Sequence, residues 1–254
     1  GGEGKYYPCL FEHEFIPRIE DLEAMVDENT VAILYNFPSN PTGGTLNEQQ
    51  RDDLLAFAKK HDLWIISDEV YDRIVFEEDH VSFMGTGYDK LMVVNSFSKT
   101  FAMTGWRIGY IISTNLEAMK QVVKIQYYIS ACSNDAMQYA VLEAMEKAND
   151  YPSEMASEFQ KRCHLIVDRL NAMPGVQCHR PKGAIYVFPK VDVPGMSSEE
   201  VALELLKDGV LCSPGSAFGP SGEGHLRFAY TISQDDISRG MDKVEATLRR
   251  LQQA

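Results

Sequence analysis

The first half of the chain alternates short apolar runs with stretches of helical spacing. Val31–Tyr35, Leu63–Ile66, Leu91–Val94 and Ile108–Ile112 are short and almost wholly apolar, the pattern of buried strands. Pro17–Met25 begins an amphipathic stretch that Asn29-Thr30 breaks. Between the first two runs, Asn47 with Gln50 three residues on resembles a capping box, and Leu54, Phe57, Ala58 and His61 follow helical spacing. Strand, helix, strand at this length predicts a right-handed parallel crossover.

From Leu116 to Leu170 the periodicity is helical. Met155, Phe159, Cys163, Ile166 and Leu170 line one face of a long helix and are expected in the core. Pro174-Gly175 stops that helix, and the domain change is placed along or just after it. The expected division is a large domain over 1–160 and a small C-terminal domain over 161–254. The second half reads as strands near Val176–Cys178, Ala184–Phe188, Val210–Cys212 and Leu226–Tyr230, with helices near Ser198–Lys207 and Gln234–Leu251. The fold class is therefore α/β: a large domain with a mostly parallel sheet flanked by helices, and a smaller C-terminal α/β domain.

Composition narrows the class. The 254 residues are 44% hydrophobic and 24% charged, as in an ordinary globular protein. Their 24 basic and 37 acidic side chains leave a net charge of −13, which argues against a nucleic-acid partner. No apolar run approaches the ~20 residues of a membrane span. The five cysteines are scattered without C-x-x-C spacing and read as reduced thiols, which fits a cytoplasmic enzyme. Cys163-His164 and Cys178-His179 are adjacent pairs with nothing nearby to complete a metal set, so no metal site is expected.

The candidate chemistry sits at strand ends, where ligands of open parallel sheets bind. The first run leads into Asn36-Phe-Pro-Ser-Asn-Pro-Thr-Gly-Gly44, with two prolines, two asparagines and two glycines. Such a loop fixes a side chain's geometry, and Phe37-Pro38 and Asn40-Pro41 are both candidates for the cis form. The second run ends in Ser67-Asp68-Glu69. The third leads into Asn95-Ser-Phe-Ser-Lys99, with Arg107 eight residues beyond the lysine. A lysine held between two buried strands carries a costly charge, and its pKa falls toward the range of a nucleophile or base. Arg227 lies within the apolar stretch Leu226–Tyr230, and pointing inward it needs an anion.

Together Asn40-Pro-Thr-Gly43, Ser67-Asp-Glu-Val-Tyr71, Ser96-Phe-Ser-Lys99, Arg107 and Arg227 resemble the class I/II aminotransferases, pyridoxal-phosphate enzymes of fold type I. The order and spacing match from about His13 to the C-terminus. The resemblance implies that Lys99 forms a Schiff base with pyridoxal 5'-phosphate and shuttles the substrate's α-proton. It implies that Asp68 pairs with the ring nitrogen, that Tyr71 and Asn40 hydrogen-bond the phenolic oxygen, and that Ser96, Ser98 and Arg107 hold the phosphate. Arg227 would bind the substrate α-carboxylate. The implied substrates are an amino acid and a 2-oxo acid, and the implied assembly is a homodimer.

The family also has an N-terminal portion that supplies a phosphate loop, a ring-stacking aromatic residue and contacts across the dimer. The chain opens Gly-Gly-Glu-Gly and lacks it, so a fragment or a processed piece is expected. Two readings stand beside a transaminase within this resemblance: a related pyridoxal-phosphate lyase or decarboxylating relative, and a non-catalytic sensor domain. Ser96-Phe-Ser-Lys99 is formally the S-x-x-K motif of penicillin-binding proteins. Here Glu69 follows Ser67-Asp68, and Phe101 follows Lys99-Thr100, where that family needs S-D-N and K-T-G.

Overall fold

The computed structural model describes residues 1–253. Contacts divide the chain into two compact units, and one cut does not separate them. The first, here the sheet unit, comprises Val26–Pro38 and Thr45–Ala156; the second comprises Gly1–Met25, Ser39–Gly44 and the chain from Ser157 onward.

In the sheet unit, β1 (Ala32–Asn36), β2 (Trp64–Asp68), β3 (Leu91–Ser96) and β4 (Gly109–Ile112) lie side by side in that order. The first three are parallel and the fourth antiparallel. Helix α2 (Glu48–Lys60) makes the crossover from β1 to β2. Its capping box is present: Asn47 Oδ1 accepts from Gln50 N at 2.8 Å, and Gln50 Oε1 accepts from Asn47 N at 2.9 Å. Such a cap contributes about 1 kcal/mol. Leu54, Leu55, Phe57 and Ala58 bury the inner face of α2, and the Tyr35 and Phe83 rings stack at 5.4 Å within the same core.

The expectation of two buried strands around Lys99 holds for β3 only. Ile108 is buried, but all four residues of β4 are exposed. β4 is the edge of this sheet and pairs on one side alone. The helical stretch beyond it resolves into α4 (Leu116–Ser130), α5 (Asp135–Lys147) and α6 (Tyr151–Asn171). Helix α4 has no buried residue and α5 only Val141. Val123, Ile125, Tyr127, Tyr128 and Ile129 are between 58% and 78% exposed, an apolar face without a cover among the described residues.

The second unit takes in the N-terminal residues and the loop Ser39–Gly44, both of which the sequence places with the larger domain. Aromatic packing explains the first: Phe15 meets the rings of Phe188 and His225 at 5.6 and 5.7 Å, and His179 Nε2 lies 2.9 Å from Phe11 O. Its strands are β5 (Val176–Gln177), β6 (Tyr186–Val187), β7 (Lys190–Val191), β8 (Ser213–Pro214) and β9 (Leu226–Ala229). They form an antiparallel pair, β5-β7, and an antiparallel sheet in the order β6-β9-β8. The strand expected at Val210–Cys212 is found directly after that stretch, at β8, because only Ser213 and Pro214 reach a ladder partner on β9. Helices α7 (Ser198–Lys207) and α8 (Gln234–Gln252) complete the unit, whose core includes Leu170, Leu205, Leu226, Tyr230 and Leu248.

Gly43 anchors the Ser39–Gly44 loop to this unit. Its carbonyl accepts from Lys182 N and Gly183 N at 3.1 Å each. Its φ is +70°, and a Cβ there would lie 2.4 Å from Pro181 Cβ and 2.9 Å from Gly183 O. Gly43→Ala meets both the left-handed backbone penalty and the clash, and is expected to destabilise the protein by about 2–4 kcal/mol. Denaturant unfolding of the two proteins side by side checks this; a difference under about 1 kcal/mol contradicts the tight seat.

Candidate active site

The sheet unit gathers its polar groups where β2 and β3 end side by side, Asp68 being paired with Val94. Asp68 closes β2. Its Oδ1 accepts from Val70 N at 3.2 Å. Burial raises the Asp68 pKa above the usual carboxylate range; the bond from Val70 lowers it, and the neighbouring Glu69 charge adds to the rise. No cationic side chain among the described residues is paired with Asp68, so it is an anion short of a counter-charge.

Strand β3 delivers the lysine. Ser96 ends the strand and caps the single turn α3 (Phe97–Thr100), its Oγ accepting from Ser98 N at 3.1 Å. The same Oγ lies 2.8 Å from Ser98 Oγ and 2.9 Å from Ile108 O. One hydroxyl proton serves one acceptor at a time. When Ser96 donates to Ser98, the Ser98 proton is left for another acceptor. Lys99 Nζ lies 5.6 Å from the ring centroid of Tyr71, which is itself 3% exposed. Arg107 is exposed, at φ +56°, and donates from Nη1 to Thr104 O at 2.8 Å. The structure therefore brings Lys99 to Tyr71, and Ser96 to Ser98, with Asp68 at the end of the strand beside β3.

The second unit holds the other two residues singled out in the sequence, and it joins them. Arg227 on β9 donates from Nη1 to Asn40 Oδ1 at 3.0 Å and from Nη2 to Ser213 Oγ at 2.9 Å. Its guanidinium carbon sits 4.7 Å from the Tyr186 ring centroid and 4.9 Å from that of Phe218. Nε is buried and unpaired. The acceptors are neutral, and among the described residues no carboxylate pairs with this cation. Among the described residues, the anion that an inward arginine needs is thus not supplied by a side chain. Asn40 is fixed by its loop: both Phe37-Pro38 and Asn40-Pro41 are cis, and Ser39 N donates to Gly44 O at 2.9 Å.

Two groups of residues escaped the sequence reading. Tyr186, Phe218 and Ser213 frame Arg227 from β6, the turn after β8 and β8 itself, and none of them was singled out as a site residue in the sequence. Glu69 is 3% exposed; its Oε1 accepts from Ser67 Oγ at 2.9 Å and Phe83 N at 3.1 Å, and its Oε2 lies 2.8 Å from His80 Nε2. The strand period of two places Glu69 opposite Asp68, a signal present in the sequence but unused.

The family model described as "Aminotransferase class I and II" matches residues 1–244. The aspartate aminotransferase of Pyrococcus abyssi is 36% identical over 98% of this chain, and the aromatic-amino-acid aminotransferase 2 of Thermococcus litoralis is 35% identical over 98%. The chain spans 65% of the length of each of these relatives. The crystal structure of an aromatic aminotransferase from Pyrococcus horikoshii superposes with a TM-score of 0.91 at 34% identity, covering 96% of this chain and 66% of that one. These proteins are named for different amino acids. The match of motif, fold and family model makes the chain a member of the aminotransferase class I and II family.

Proposed function

We propose that the protein is a pyridoxal-phosphate-dependent aminotransferase that moves an amino group between an amino acid and a 2-oxo acid, with Lys99 as the Schiff-base lysine. The observation that carries this reading is the pair of unmet charges: among the described residues Asp68 has no paired cation and Arg227 no paired anion. A protonated pyridine nitrogen would answer the first and an α-carboxylate the second.

Pyridoxal phosphate supplies a carbonyl and a protonatable ring that withdraws electrons from the carbon bearing the amino group. Asp68 holds the proton on the ring nitrogen, since a carboxylate nearby favours the charged form. By the family resemblance, Tyr71 and Asn40 would each donate to the phenolic oxygen. Ser96 and Ser98 offer hydroxyls and Arg107 a guanidinium to the phosphate, whose geometry suits the planar fork. The Lys99 amine moves the proton at the substrate's α-carbon, as general acid–base catalysis requires. Arg227 binds the α-carboxylate with two parallel donors, oriented by Tyr186 and Phe218 and by its bonds to Asn40 and Ser213.

We further propose a homodimer in the cytoplasm. The apolar face of α4, with the exposed β4 edge, supports a covered assembly. The free cysteines support a reducing compartment. Among the described residues no helix is long and apolar enough to cross a membrane.

The full-length protein, loaded with pyridoxal phosphate and given an amino acid without an acceptor, is expected to convert the cofactor stoichiometrically to its pyridoxamine form. It is also expected to sediment as a dimer. Release of ammonia or carbon dioxide instead of that conversion identifies a lyase or decarboxylase, and cofactor binding without conversion identifies a sensor.

A further inference from the structure

Tyr71 lies beyond the end of β2, outside any strand ladder. Asp68 is fixed by backbone pairing with β1 and β3, whereas Tyr71 depends on the turn that follows. That turn is held by Asp72 N donating to Glu69 O at 2.9 Å and Ile74 N donating to Tyr71 O at 2.8 Å. Both bonds lie within the stretch that starts at Glu69. Glu69 N in turn donates to Val94 O at 2.9 Å, so its backbone is pinned to β3.

Its side chain reaches to the far end of the same loop. Through His80 Nε2 and Phe83 N it ties the returning strand of chain, Val81–Phe83, to the base of the turn. Phe83 is stacked on Tyr35, and Ser82 O accepts from Arg51 Nη1 at 2.9 Å, so the far end is anchored independently. A carboxylate this buried is costly unless every lone pair is used. Burial alone would raise its pKa, but the bonds from His80 and Ser82, the His80 charge and the Phe83 amide together hold it below the usual range. These bonds form a clasp that closes the loop between Glu69 and Phe83, the loop that carries Tyr71.

We propose that Glu69 and His80 are a positioning pair that fixes the Tyr71 side chain for the group bound at Lys99. The proposal rests on the reading of Lys99 as the Schiff-base lysine. Neither residue of the pair is placed in contact with substrate or cofactor. They act on Tyr71 through the Val70–Phe83 loop. A phenol donor held against the cofactor's phenolic oxygen stabilises the anionic form and lowers the proton affinity of the Schiff base. Loosening the clasp therefore raises that affinity.

The test is a pH titration of the visible absorption of the full-length holoenzyme, in the native protein and in Glu69→Gln, His80→Ala and His80→Gln. Borohydride labelling of Lys99 is measured first. If the native protein does not label, the Schiff-base reading itself fails, independently of the clasp. With labelling intact, His80→Ala and Glu69→Gln are expected to move the midpoint upward by about one pH unit, a tenfold change in proton affinity. His80→Gln keeps a donor within reach of Glu69 and is expected to retain most of the native midpoint. In a Tyr71→Phe background the shift from His80→Ala is expected to vanish, because the pair has nothing left to position. Labelled variants with the native midpoint overturn the proposal, as does a shift that persists undiminished in Tyr71→Phe. Should the larger changes prevent folding, Ser67→Ala removes a single donor from Glu69. It is expected to give a smaller shift in the same direction, and no shift there overturns the proposal as well.

Discussion

Replacing Lys99 with alanine is expected to abolish the visible absorption of the protein reconstituted with pyridoxal phosphate, and with it the borohydride-trapped label. Amino transfer should fall by at least roughly 10³-fold, since both the covalent anchor and the proton carrier are removed. Lys99→Arg is expected to fail equally, because a guanidinium does not form the imine. The fold should be indifferent. Lys99 makes no ion pair among the described residues, and its one contact of note is the Tyr71 ring. Stability within about 0.5 kcal/mol of the native protein is therefore expected. Thermal unfolding and labelling on the same sample separate the two effects. An unchanged absorption band that resists borohydride removes Lys99 from the chemistry and takes the proposed function with it.

The second large effect belongs to Arg227. Arg227→Ala removes two donors and the guanidinium bonded to Asn40 and Ser213. Substrate capture should suffer and cofactor capture should not. We expect kcat/KM for amino acids to fall by roughly a hundredfold, about 3 kcal/mol, mostly through KM, while Lys99 labelling stays complete. Arg227→Lys is expected to recover little, because a point charge reproduces neither the paired donors nor the stacking between Tyr186 and Phe218. If the label is lost while KM holds, the arginine serves the cofactor phosphate instead.

How much of this was legible in the sequence depends on what each residue's environment is made of. The strand-end residues were readable because their context is local. Asp68 follows the four-residue apolar run Leu63–Ile66 and one serine, and Lys99 follows another strand within a few positions. The Asn40 loop announces itself by its prolines and glycines. The capping box at Asn47 was readable for the same reason. Arg227 was legible only as a question: an arginine in an apolar stretch needs an anion, but the sequence does not say whether a side chain supplies it. The packing of Tyr186 and Phe218 around it is set by how β6, β9 and the turn at Gly215–Phe218 fold together. The exposure of β4 was missed because an apolar run reads the same whether or not anything covers it. The packing of the N-terminal residues was not legible because ring contacts across 168 positions of sequence, as between Phe11 and His179, leave no periodic trace.

The Ser39–Gly44 loop has a consequence for how the protein is made. It leaves the ribosome directly after β1, yet its seat at Pro181–Gly183 and the partner of Asn40 come much later, Arg227 by 187 positions. The sheet unit can begin to collapse as soon as β1 to β3 are out, but the loop must wait for β9, 187 positions beyond Asn40, before its arginine partner exists. A nascent chain that ends within α6 is therefore expected to leave Asn40 unseated, since both Pro181–Gly183 and Arg227 follow it. Competence to bind an amino acid is then expected to appear late and in a single step, when β9 docks, and not in proportion to the length of chain already synthesised.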